Sequence, residues 1–78
     1  MAVKLDEERR AQLIAELQAH FKQNFDEQLS EFRAAQILEF FLGSLGPQVY
    51  NQAVQDARAF FQQKLDDLDG EVYLPEGL

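Results

Sequence analysis

Cysteine is absent from these 78 residues. That excludes disulfides, iron–sulfur clusters and zinc–thiolate sites, and it fits a reducing compartment. No apolar run approaches the roughly 20 residues that a membrane helix needs. The start, Met1-Ala2-Val3-Lys4-Leu5-Asp6-Glu7-Glu8, has neither the basic opening nor the apolar stretch of a secretory signal. The expected setting is the cytoplasm, with no membrane. Basic residues are also scarce: 7 Lys and Arg stand against 14 Asp and Glu, for a net charge of −7. Nucleic-acid binding draws much of its affinity from neutralised phosphates, so nucleic acid is not an expected partner.

What is present is apolar and helical in pattern. Hydrophobic residues make up 46% of the chain, with 7 Phe, too much for intrinsic disorder. The length allows one domain, residues 1–78. A domain this small hides only about 60% of the surface of its unfolded chain, so helix packing or self-association has to supply what disulfides cannot. The charge is uneven. Lys4, Arg9, Arg10 and Lys22 balance the acids of residues 1–25, whereas residues 62–78 carry Lys64 against Asp66, Asp67, Asp69, Glu71 and Glu76.

Helical spacing marks three segments. Asp6 suits an N-cap with Glu7 and Glu8 in the first turn, and Leu13, Ile14, Leu17, Phe21 and Phe25 form one stripe, which predicts a helix over 7–23. Asn24, Asp26 and Ser30 are all candidate caps for a second helix, set at 27–43. Gly43-Ser44-Leu45-Gly46-Pro47 reads as a turn, with Gly43 or Gly46 left-handed and Pro47 opening the next helix. The third helix, 47–68, carries Tyr50, Ala53, Val54, Ala57, Phe60, Phe61, Leu65 and Leu68 on one face, and Asp69-Gly70 stops it. The tail, 69–78, is expected to be extended and to dock through Tyr73 or Leu74. The fold class is all-α: a small three-helix domain built from helical hairpins, with helix 2 against both others and short extended terminal segments. Whether the terminal segments pair as strands stays open.

Helix 2 is anomalous. Ala34, Ile37, Leu38, Phe41, Leu42 and Leu45 make a broad apolar face, Leu29 and Phe40 lie to one side of it, and Phe32 lies further round. A helix apolar on most sides is buried on most sides. Either helix 2 is central and covered by the tail, or Leu29, Phe32 and Phe40 contact another chain. In helix 3, Tyr50, Asn51 and Asp56 read as a structural polar cluster tying that helix to the 2–3 corner.

Motifs for chemistry are weak. Asp67-Leu68-Asp69-Gly70 followed by Glu76 imitates part of a calcium loop, but Leu65 occupies the first ligand position. The single histidine, His20, has Glu16 one turn before it. Two ligands fall short of a catalytic zinc site, and a boundary histidine paired with a carboxylate is the simpler reading. Ser30 and Ser44 lie in no nucleophile elbow. No catalytic residue, metal ligand or cofactor is expected, and the chain is not expected to be an enzyme.

The run Phe40-Phe41-Leu42-x-x-Leu45-Gly46-Pro47-x-x-Tyr50-Asn51-x-Ala53-x-x-Asp56-Ala57 resembles a small bacterial family, domain of unknown function 2164. The likeness extends from about Lys4 to Tyr73. Gly-Pro-x-x-Tyr-Asn-x-Ala-x-x-Asp-Ala is its specific part, and Ser30 replaces a glycine often found in that family. The resemblance implies a short helical cytoplasmic protein and assigns no activity. The function expected from the sequence is therefore unknown in detail: a non-enzymatic interaction module, either a homodimer or an adaptor to another protein. Alternatives are an acidic, antitoxin-like regulator that masks a basic partner, and a small-molecule- or metal-binding protein.

Overall fold

A computed structural model describes residues 3–76. Asp6 opens the first helix as expected: its carboxylate accepts the backbone N–H of Arg9 at 2.8 Å. Helix α1 spans Glu7–Phe25. It ends at Asp26, the one non-glycine residue at positive φ (51°) among the described residues. The N–H groups of Asp26 and Glu27 both reach the Phe21 carbonyl, and Lys22 holds the Asp26 carboxylate at 3.0 Å. Asp26 therefore terminates α1 and does not cap the next helix.

Helix α2 spans Glu31–Ser44, starting four residues later than the sequence pattern suggests. Of the three candidate caps, Ser30 is the one used, accepting the N–H of Arg33 at 3.1 Å. A side-chain cap satisfies an otherwise orphaned amide, which fixes the start here. Helices α1 and α2 form the expected hairpin. Leu29, Ala34 and Leu38 are buried within it. Gln18 donates its amide to the Leu29 carbonyl at 2.9 Å, and Arg10 pairs with Glu39 across the two helices.

The second expected hairpin does not form. Helix α3 spans Gly46–Glu71, 26 residues, and is separated from α2 by Leu45 alone. Leu45 is right-handed (φ −84°, ψ −34°), and neither Gly43 nor Gly46 is left-handed. The helical ladder runs on through the joint: Leu45 N–H bonds Phe41 O at 2.8 Å, and Val49 N–H bonds Leu45 O at 3.0 Å. Reversal between antiparallel helices takes a linker of about 2–5 residues, and a single helical residue cannot supply it. Pro47 suits this place because the first turn of a helix has no use for its missing N–H.

Helix α3 accordingly projects away from the hairpin. It touches α2 at the joint and α1 nowhere among the described residues. The chain measures 75 × 27 × 20 Å. At 1.5 Å per residue α3 alone is about 39 Å long, so the long dimension requires α3 to extend beyond the hairpin. The radius of gyration is 21.6 Å, against about 11.5 Å for a compact domain of this length. Gly70 lies within α3 and does not stop it. Tyr73 and Leu74 stay exposed and do not dock. No strand occurs among the described residues.

Candidate interaction surface

The feature that sets this chain apart is an uncovered helix. Every described residue from Gln48 to Glu76 is exposed. At about 100° per residue, Tyr50, Val54, Ala57, Phe61, Leu65 and Leu68 fall within roughly a quarter of the circumference of α3, and Val72 continues the line. Phe61 is 64% exposed and Leu65 58%. Val49, Ala53 and Phe60 widen the stripe on one side. Lys64 lies among these residues and sits over the Phe60 ring at 5.5 Å. The opposite side is polar, and its pairs are local, Gln52 to Asp56 at 3.0 Å and Gln62 to Asp66 at 3.1 Å. Such pairs support a helix by a few tenths of a kcal/mol each. They do nothing for the apolar side.

A second uncovered apolar surface adjoins the first. Leu13 and Leu17 of α1 face Leu38, Phe41 and Leu42 of α2 across a groove of about 300 Å³, which opens at Leu45 and Val49 toward the start of α3. Above the joint, Val3 crosses Gly46. A Cβ on that glycine would stand 3.3 Å from Val3 Cβ, so a side chain at residue 46 would press on the lead.

The total surface measures the deficit. The chain exposes 7107 Å², whereas a folded monomer of 9.0 kDa exposes about 4,900 Å². The excess is roughly 2,200 Å² per chain.

Electrostatics divide the ends of the molecule. The distal end of α3 carries Asp66, Asp67, Asp69 and Glu71 with no base in the last turn. Acids there oppose the helix dipole and repel one another at three- and four-residue spacing. The joint end has no acid in the first turn of α3, and the segment that follows Val3 there is balanced, with Lys4, Arg9 and Arg10 against Asp6, Glu7 and Glu8.

Several residues singled out from the sequence take different places. Phe32 and Phe40 are exposed, at 72% and 67%, on the side of α2 away from its buried Ala34 and Leu38. Leu29 is not with them. It is only 8% exposed and closes the turn end of the hairpin, because the late start of α2 folds the 26–30 connection inward. Tyr50, Asn51 and Asp56 form no cluster: all three are exposed, and Asp56 bonds Gln52. With α3 projecting outward, there is no corner for them to tie. His20 pairs with Asn24, whose amide lies 3.1 Å from Nδ1 and also donates to the His20 carbonyl at 3.0 Å, in place of Glu16. Its ring meets Phe21 and Phe25 edge-on. Asp67 and Asp69 are helical, so the calcium-loop likeness has no loop.

Sequence reasoning points to α2 as the bearer of surplus apolar surface. Most of that surface lies on α3, whose stripe is legible in the sequence but is not covered as a compact three-helix domain would require. The signal that distinguishes the two outcomes is the length of the connection, once Leu45 is read as helical.

Among the described residues no helix is long and apolar enough to cross a membrane, and no group of three or more His, Asp or Glu is placed to hold a metal ion. No curated protein and no solved structure matches the chain. Residues 3–76 do match the model of a family without an assigned activity, and the match takes in the Gly46-Pro47 joint, the whole of α3 and both helices of the hairpin. The chain therefore belongs to the family described as Uncharacterized conserved protein (DUF2164).

Proposed function

We propose that this protein is a non-enzymatic interaction module whose working part is the apolar stripe of α3, extended by the hairpin groove. The observation that carries the reading is the exposure of the whole of α3 beyond its first turn. An isolated amphipathic helix is marginal in water, and helices in proteins owe most of their stability to packing of the apolar face. Exposed apolar surface on this scale marks an interaction site. A reducing, cytoplasmic setting fits a chain without cysteine.

A second reading, in which the acidic end of α3 masks a basic partner, is favoured by the acids from Asp66 to Glu71. It explains those charges but leaves the stripe uncovered, so the first reading accounts for more of the surface.

A photo-reactive amino acid placed in the chain tests the module in its native cell. At Leu65, on the stripe, it is expected to give protein adducts. At Gln62, on the polar side, it is expected to give few. No adduct of any kind from Leu65, or equal labelling from both sites, removes the basis for the reading.

A further inference from the structure

We infer that the partner of α3 is α3 of a second copy of this chain, in an antiparallel, two-fold symmetric pair that overlaps along the whole helix. The inference rests on the module reading above and names the occupant of that surface.

Area is the first argument. The surface excess of roughly 2,200 Å² per chain doubles to about 4,400 Å² in a pair. Obligate homodimers bury about 2,000–5,000 Å² or more. A pair that buried about half of that excess would fall within this range.

Connectivity is the second. The stripe cannot be covered from within the same chain, because the helical Leu45 joint keeps α3 from turning back on its own hairpin. When a helix is blocked from closing within its own chain, another copy offers the same chemistry at the same positions.

Register is the third. Full overlap sets the two-fold axis near the middle of Gly46–Glu71, between Arg58 and Ala59. The small Ala57, on the stripe and close to the axis, lets the two backbones approach there. Two of three main pairings then set a large residue level with a small one, and the third sets two large residues together. Phe61 lies near Ala57 of the partner subunit, Leu65 near Ala53 of the partner subunit, and Tyr50 near Leu68 of the partner subunit. Val72, Tyr73 and Leu74, all exposed in the single chain, pass Gly46 of the partner subunit and arrive at the mouth of its groove.

Charge is the fourth. The same register lays Asp66, Asp67, Asp69 and Glu71 over the partner's joint. There the N-terminus of a helix without acids of its own favours negative charge. A parallel pair would instead set the two acidic ends against each other.

The chain has no cysteine, so single Arg58→Cys and Gln48→Cys variants, both at exposed positions, take spin labels specifically. Light scattering is expected to give twice 9.0 kDa. The Arg58→Cys pair, beside the axis, is expected at a short separation. The Gln48→Cys pair is expected about 30 Å further apart, from the helical rise over the residues between them. Equal separations for the two pairs mean a parallel dimer and overturn the inference. A mass of one chain at every concentration overturns it as well. In either case adducts from Leu65 leave the interaction module standing, whereas their absence removes both. Phe61→Asp is expected to return the mass to one chain, and Gln62→Asp is expected to leave the dimer intact. A dimer that survives Phe61→Asp overturns the inference.

Discussion

Dilution should lower the melting temperature of this protein. If α3 is folded only when paired, unfolding and dissociation are one event, and stability depends on protein concentration. Each tenfold dilution shifts the balance by about 1.4 kcal/mol. The size of the shift follows from the chain length. Two chains of 78 residues, at roughly 0.7 kcal/mol per residue near 60 °C, give an unfolding enthalpy of about 110 kcal/mol. The corresponding entropy is about 0.33 kcal/mol/K, so a tenfold dilution lowers the midpoint by roughly 4 °C. Melts followed by far-ultraviolet circular dichroism, over two decades of concentration, should move by about 8 °C. Superimposable melts over that range would falsify the claim that folding and association are coupled, because a monomer's midpoint is independent of concentration.

Leu38→Ala removes one of three buried apolar side chains of the hairpin. It should cost about 2–5 kcal/mol in denaturant unfolding; a loss well below about 1 kcal/mol would mean the hairpin core lies elsewhere. Ser30→Ala should cost about 1 kcal/mol, and Ser30→Asp, which keeps an acceptor for the Arg33 amide, should cost little; equal losses would show that the cap bond contributes nothing. Replacing Phe32 and Phe40 together with Ser should preserve both helicity and solution mass, since both are exposed and lie outside the α3 overlap; a fall in mass would move the interface to α2. Gly46→Ala should destabilise the protein mildly, because its Cβ would press on Val3; no change in the melting midpoint would show that the lead gives way freely.

Local chemistry accounts for what is legible in the sequence. Asp6, Glu7 and Glu8 mark the first helix because capping and the helix dipole act within a single turn. The α3 stripe is legible because its spacing is a property of one helix. The start of α2 is not, because Asn24, Asp26 and Ser30 each offer an acceptor of the right kind. The choice depends on which backbone path lets Leu29 reach the hairpin interior, and that path is settled by packing.

The course of the chain after Ser44 is also hidden from the sequence, for a reason that bears on function. Gly43 and Gly46 permit a left-handed turn but do not require one. Pro47 is equally at home after a turn and in the first turn of a continuing helix. Leu45 decides between them, and in its right-handed conformation Phe41, Leu45 and Val49 stay in one hydrogen-bonded ladder. A fold-back would have consumed the stripe of α3 inside one chain and left a three-helix bundle with little to offer a partner. The extended form keeps that stripe available, and Gly46 keeps the joint narrow enough for Val3 to cross it. The same few residues thus set both the shape of the chain and the surface it presents, so a longer, flexible linker in place of Leu45 would release α3 to cover its own groove and weaken the case for pairing.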